Sequence, residues 1–180
     1  MTNIFIAGSI SIKHLDLKVK RRIDNIIDAN HTVLVGDADG VDCSIQKYLS
    51  QRGAKHTIVY CSGAEPRNNV GRWPVNSVQV EHAAPGSRAF FTAKDIEMAK
   101  AADFGLMIWD ARSTGTLGNV LELLRRKKKS VIFINTAKQF WTVGDVTQLE
   151  RLLSFMSESA MRIANDKIGL HDRINDLRHK

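Results

Sequence analysis

Three short segments of small and hydroxyl-bearing residues each follow an apolar run, and their composition suits phosphate binding. Residues 8–11 (GSIS) and 36–42 (GDADGVD) contain glycines, which let a backbone approach a ligand closely. Residues 113–119 (STGTLGN) supply three hydroxyls and the start of a helix, whose free N–H groups favour an anion. The predicted ligand-binding residues are Gly8, Ser9, Gly36, Asp37, Ala38, Gly40, Asp42, Arg88, Asp110, Ser113, Thr114, Gly115, Thr116 and Asn119.

Each of the three segments also has a plainer interpretation. Residues 8–11 fit an ordinary turn between a strand and a helix, and residues 113–119 fit a hydroxyl-rich helix cap. Asp39 and Asp42 would repel an anion, so they suit a helix cap or a ribose hydroxyl better. The third segment is the strongest phosphate candidate, although it lacks the lysine of a Walker loop.

The elements that must position these segments alternate along the chain. Short apolar runs separated by amphipathic stretches predict a parallel sheet with helices on both faces, a Rossmann-like α/β fold. In such sheets ligands bind outside the carboxyl ends of the strands, where all three segments would lie. The predicted strands are 3–7, 32–35, 57–60, 104–109 and 130–134, and the predicted helices are 15–29, 41–52, 92–101 and 117–126.

Two regions depart from this alternation. Residues 61–89 are rich in turn formers and include a possible short strand at 76–80. After a nucleotide-binding domain at 1–145, residues 146–180 predict a C-terminal helical extension that packs on the domain or on a second subunit. An apolar stripe in this extension begins with Leu149, Leu152, Leu153 and Met156. An exposed stripe of this length would be unusual for a monomer, so a homo-oligomer is expected.

The overall composition favours some classes of binding partner but does not identify one. The net charge of +7 favours phosphate-bearing partners, from nucleotides to nucleic acid. Neither a secretory signal nor an apolar run of membrane-spanning length is visible, so we expect a cytoplasmic protein without a membrane partner. Two cysteines do not suggest a disulfide framework, and the six histidines lack metal-ligand spacing. We predict neither a metal nor a cofactor.

Several charged residues have two interpretations. Arg88 suits a bidentate phosphate contact or a solvated loop, and Asp95 suits a ribose contact or a charge at a helix start. Residues 67–73 mix cations, amides and an aromatic ring, which suits base stacking but fits a surface loop better. The basic run 125–129 ends a predicted helix, where cations complement the dipole; that structural role is favoured over nucleic-acid binding.

The sequence resembles the SLOG superfamily over positions 3–134. This Rossmann-like group includes the Lonely Guy enzymes, DNA-processing protein A and the YpsA-like proteins. The resemblance lies in Gly8-Ser9, in residues 36–42, in Gly115-Thr116, and in Arg88 with Asp95, Ala102 and Asp103. Nucleoside 2-deoxyribosyltransferases and deoxynucleotide N-hydrolases are similar more distantly. The resemblance implies a nucleotide, a nucleoside or a nucleotide-derived ligand.

One departure from the related enzymes bears on catalysis. The N-glycosidic members place a glutamate two or three residues beyond Gly-Thr, where this chain has Gly118 and Asn119. An amide cannot act as a carboxylate nucleophile or base. The favoured function is therefore a sensor or sequestering protein for a nucleotide. The alternatives are an N-glycosidase or phosphoribohydrolase using Asp95 and Glu122, and a module that binds single-stranded nucleic acid.

Overall fold

The computed structural model describes residues 1–180, and its elements form one mixed sheet with seven helices. The strands are β1 (Asn3–Gly8), β2 (Thr32–Gly36), β3 (Thr57–Ser62), β4 (Val75–Val78), β5 (Phe104–Trp109), β6 (Ser130–Ile134) and β7 (Gln139–Val143). The helices are α1 (Leu17–Asp28), α2 (Val41–Gln51), α3 (Arg88–Ala101), α4 (Thr114–Arg125), α5 (Val146–Leu153), α6 (Glu158–Ile168) and α7 (Leu170–Arg178). The α/β prediction is confirmed.

The sheet has the order β4-β3-β2-β1-β5-β6-β7, and every neighbouring pair is parallel except β6 and β7. The chain builds outward from β1 to β4, then α3 returns it to β5 on the other side of β1. The strand order therefore reverses between β1 and β5. The segments that follow β1, β2 and β5 meet at this reversal, which is where open parallel sheets bind ligands.

Helices cover both faces of the sheet, because successive side chains of a strand point to opposite faces. Ile4 and Ile6 of β1 pack in one apolar core with residues of α1 and α2. Phe5 and Ala7 pack in the other with residues of α3, α4 and the C-terminal helices. Burial on both faces explains why the strands are continuous apolar runs rather than alternating ones.

Two helices begin earlier than the periodicity predicts. Helix α3 begins at residue 88 rather than 92, and Ser87 caps it by accepting a hydrogen bond from the Phe90 N–H at 3.2 Å. Helix α4 begins at residue 114 rather than 117, with Ser113 as its N-cap. Most of the segment 113–119 is thus the start of α4 rather than a loop. The strand in the 61–89 region spans 75–78 rather than 76–80.

The C-terminal region adds an antiparallel strand and three helices. Sequence periodicity did not predict β7, whose Trp141 indole N–H donates to the Gln148 carbonyl at 3.2 Å. The helical pattern after residue 146 is broken twice, the second time at Gly169, which has a left-handed φ of 60°. Leu149, Leu152 and their neighbours are buried in the same core as α4. None of the helices is long and apolar enough to cross a membrane.

Candidate functional site

A cleft of about 370 Å³ opens at the strand-order reversal. Its volume lies within the roughly 300–1,000 Å³ of small-molecule sites. Of the residues predicted from sequence, those that line it are Gly8, Ala38, Asp42, Arg88, Asp95, Ser113, Thr114, Gly115, Thr116 and Asn119. Six further lining residues were not among the predicted site residues, namely Ala7, Ile10, Arg67, Phe91, Thr92 and Lys94.

One half of the cleft is the amino end of α4. The Ser113 hydroxyl accepts the Thr116 N–H at 3.5 Å, which leaves the N–H groups of Thr114 and Gly115 without a side-chain cap. A Cβ on Gly115 would meet nothing closer than the Ser113 Oγ at 4.0 Å, so the space beside it is open. Arg88 reaches across from α3 and donates to the Thr114 Oγ1 at 2.8 Å. These groups together favour an anion.

Asn119 is a polar group of this half that is free to bind a ligand. It is only 8% exposed, it lines the cleft, and its amide takes part in no side-chain hydrogen bond of the chain. A side-chain amide offers two N–H donors and an acceptor oxygen. A molecule bound in the cleft would therefore find an unpaired hydrogen-bonding group at Asn119.

The other half of the cleft contains a buried cluster of charges around Lys94. Lys94 is 4% exposed, and its Nζ donates to the Asp95 Oδ1 at 2.8 Å. A Cβ on Gly36 would lie 2.4 Å from the Asp42 Oδ2 and 2.8 Å from the Lys94 Nζ. Gly36 therefore has a structural role: the absence of its side chain leaves room for the side chains of Asp42 and Lys94 over the end of β2.

Burial and the neighbouring charges set the protonation of this cluster. Burial raises the pKa of Asp42 to about 6, against the opposing effect of the Lys94 charge. Burial acts to lower the pKa of Lys94, but the charges of Asp95 and Asp42 outweigh it and raise that pKa. Lys94 is therefore a permanent cation here, and Asp42 changes charge near pH 6.

Asp37, predicted to contact a ligand, binds Arg67 instead and lies outside the cleft lining. Its carboxylate accepts from the Arg67 Nη2 at 2.9 Å, from Nε at 3.2 Å and from the backbone N–H at 2.9 Å. Burial acts to raise the pKa of Asp37, but the bonds from Arg67 outweigh it and lower that pKa. The guanidinium held in this way lies 4.4 Å from the centre of the Phe91 ring. Both Arg67 and Phe91 line the cleft.

Ser9 and Asp110 also lie outside the cleft lining and connect the segments that surround it. The Asp110 N–H donates to the Ser9 Oγ at 3.1 Å. The Asp110 carboxylate accepts from the Ser113 N–H at 2.7 Å and from the Ser11 hydroxyl at 2.7 Å. Burial acts to raise the pKa of Asp110, but these hydrogen bonds outweigh it and lower the pKa. The two residues fix the segments after β1 and β5 against each other.

Gly40 holds the segment after β2 close to the segment after β1. Its φ is 76°, and a Cβ there would lie 2.3 Å from the carbonyl oxygen of Ile10. Only glycine combines a positive φ with this approach at low cost. Gly40 is therefore required by the backbone rather than by contact with the cleft, which it does not line.

Glu122 lies outside the main cleft and forms two ion pairs. Its Oε1 is 2.8 Å from the Nη2 of Arg125 and 2.8 Å from that of Arg126. Burial acts to raise the pKa of Glu122, but hydrogen bonds from the two arginines outweigh it and lower that pKa. A carboxylate with a lowered pKa is a poor general acid or base near neutral pH.

The basic run 125–129 has internal partners as well. Lys128 donates to the carbonyl oxygens of Ala99 at 2.9 Å and Lys100 at 2.6 Å, at the carboxyl end of α3. The run also precedes β6, so it lies at the amino edge of the parallel strands, opposite the cleft. Its geometry fits the structural interpretation of the run.

Among solved structures, the fold is similar to that of DNA processing protein A from Helicobacter pylori, in a structure described for its single-stranded DNA binding mode. The TM-score is 0.59 at 16% sequence identity, and the alignment covers 92% of this chain and 79% of that one. This likeness supports the predicted resemblance at the level of the Rossmann-like fold. No family model and no curated protein matches the sequence.

Proposed function

We propose that this protein binds a nucleotide in the cleft and serves as a sensor or sequestering protein for it. The observation that carries the proposal is the grouping at the amino end of α4. There the N–H groups of Thr114 and Gly115, the guanidinium of Arg88 and the unpaired amide of Asn119 border one open space. A phosphate accepts hydrogen bonds from all of these donors.

The rest of the cleft suits a nucleoside attached to that phosphate. Phe91 and the exposed side chain of Ile10 provide apolar surface for a base. The Asp95 carboxylate also lines the cleft, and it would accept a hydrogen bond from a ribose hydroxyl. The lining thus includes groups suited to a phosphate, a sugar and a base.

A thermal-shift screen tests this proposal. Nucleoside monophosphates are expected to raise the melting temperature of the wild-type protein, and the matching nucleosides to raise it much less, because they lack the phosphate. The shift is expected to shrink in Arg88→Ala but not in Lys127→Gln, an exposed control. If no nucleotide shifts the melting temperature at millimolar concentration, the proposal is wrong.

Cleavage of an N-glycosidic bond is a second candidate, favoured by the position of Asp95. Its carboxylate lines the cleft, held by the buried cation of Lys94. In this reaction water would add at the anomeric carbon, with Asp95 as its base, while the nucleobase would leave with a proton. Free base released from a nucleoside monophosphate, lost in Asp95→Asn and retained in Glu122→Gln, would support it. Absence of release from every nucleotide that binds would exclude it.

Binding of single-stranded nucleic acid is a third candidate, favoured by the likeness to DNA processing protein A. The net charge of +7 is compatible with it. Fluorescence anisotropy with a labelled single-stranded oligonucleotide tests it. Binding that weakens steeply as salt rises would support this function, whereas no binding at low salt would exclude it.

A further inference from the structure

A second cavity of about 170 Å³ adjoins the cleft along α4. The two share lining residues at the amino end of α4, including Thr114, Gly115 and Asn119. The opposite wall of the second cavity comes from the C-terminal helices, through Ile168 and Arg173. The carboxylates of Asp95 and Glu122 also line this cavity. Both are already paired with cations, Asp95 with Lys94 and Glu122 with two arginines. The space around the proposed phosphate position therefore extends toward the C-terminal helices.

Arg173 is the unusual group in this wall. Its guanidinium has no carboxylate within 4.0 Å and takes part in no side-chain hydrogen bond, although the residue is half-buried. By contrast, the nearby Arg125 and Arg126 are both paired with Glu122. Burial of an unpaired cation is unfavourable, and an anion placed beside Arg173 would compensate for it. Burial also lowers the pKa of Arg173.

Arg173 lies beside α4, close to the proposed phosphate site. Its Nη1 lies 3.9 Å from the point where a Cβ on Gly118 would stand. Gly118 follows Gly115 by three residues, so both lie on the same face of α4, about 4.5 Å apart along its axis. A second phosphate that extends from the first along this face of α4 would approach the Arg173 guanidinium.

We propose that Arg173 binds a second phosphate of the ligand, so that the site prefers nucleoside diphosphates to monophosphates. The planar guanidinium offers two parallel N–H donors, which match the oxygens of a phosphate. This inference rests on the proposed nucleotide binding. It adds the number of phosphates and assigns a binding residue to the C-terminal helices.

Isothermal titration calorimetry with the four common nucleoside monophosphates and their diphosphates tests the inference. Wild-type protein is expected to bind the diphosphate of its preferred nucleoside at least about tenfold more tightly than the monophosphate. Arg173→Gln is expected to abolish this preference while changing the monophosphate affinity by less than about twofold. Arg173→Lys keeps the charge but not the planar fork, so it should retain part of the preference.

The control is Arg162→Gln, which removes the same charge from the exposed surface of α6 and should change neither affinity. Equal affinities for mono- and diphosphates in the wild type, or an unchanged ratio in Arg173→Gln, would overturn the role of Arg173 and leave nucleotide binding intact. If the wild type binds no nucleotide, both proposals fail. If Arg173→Gln does not fold, Arg173→Lys tests the same role, because a diphosphate preference as large as that of the wild type would overturn the role of the guanidinium.

Discussion

The cleft and the basic run 125–129 lie at opposite edges of the parallel strands and use their charges differently. In the run, arginines and a lysine satisfy groups of the chain itself, namely Glu122 and the last carbonyls of α3. In the cleft, the N–H groups at the start of α4 and the amide of Asn119 have no such partners. The comparison teaches that a dense run of positive charge can be paired within the chain while unpaired donors lie elsewhere.

The first way to test the comparison removes the cation buried beside the cleft. Lys94→Met would leave the carboxylates of Asp42 and Asp95, whose charges act on each other, without the buried cation beside them. Breaking a buried ion pair in this way costs about 3–5 kcal/mol. Urea denaturation at pH 7.5 measures the free energy of unfolding. Lys100→Met on the same helix is the exposed control, and a Lys94→Met value within 1 kcal/mol of wild type would contradict the account.

The second test uses the protonation of Asp42, whose pKa is raised to about 6. Because its unfolded pKa is about 3.9, the folded state binds more protons between about pH 4 and 6. The contribution of Asp42 to the free energy of unfolding therefore falls as pH rises through this range, by about 3 kcal/mol at 1.36 kcal/mol per pKa unit.

Other carboxylates change stability in the opposite direction, so this effect must be isolated. The lowered pKa values of Asp37, Asp110 and Glu122 make the protein more stable as pH rises. Asp42→Asn cannot titrate, so the stability of wild type relative to this variant is expected to fall from pH 4 to pH 7. Parallel pH curves for the two proteins would show that Asp42 titrates normally.

The third test removes the cation that reaches over the amino end of α4. Arg88→Ala is expected to weaken nucleotide binding by about 10- to 100-fold, since a hydrogen bond to a charged group contributes about 1.5–3 kcal/mol. Stability should stay within about 0.5 kcal/mol because Arg88 is exposed. Calorimetric titration of both proteins, with Arg162→Ala as control, measures the effect. Equal affinities in the wild type and Arg88→Ala would remove Arg88 from the site.

The smallest effect is expected at the basic run. The double substitution of Lys127 and Lys129 by glutamine removes two exposed charges far from the cleft. Nucleotide affinity should change by less than about twofold, and the free energy of unfolding by less than about 0.5 kcal/mol. A large loss of affinity would mean that the run, not the cleft, attracts the ligand.

The sequence predicted the sheet well because its strands are short, apolar on both faces and bounded by glycine or polar residues. Strand β5 was predicted with the bounds that the structure has. Strand β7 was not predicted, because it pairs antiparallel at the edge and is only partly buried. The starts of α3 and α4 were placed too late because their first turns are polar, with little apolar periodicity.

The sequence predicted that the three segments after β1, β2 and β5 would meet, and residues from all three line the cleft. Lys94 and Arg67 were not placed in it, because their roles depend on Asp95 and Asp37, and in the case of Arg67 the partner is distant in sequence. The sequence signal for Arg67 was its place in a stretch of cations and amides that suited base stacking, and for Lys94 it was the adjacent Asp95. Spacing along the chain cannot report a contact between residues that are thirty positions apart.

The most direct test of nucleotide binding in the cleft compares wild type with Asn119→Asp by calorimetric titration of nucleoside monophosphates. The substitution keeps the shape of the side chain but places a carboxylate beside the proposed phosphate position. We predict binding by the wild type and at least about tenfold weaker binding by the variant at pH 7.5. Equal binding by both proteins, or none by the wild type at millimolar nucleotide, would contradict the account.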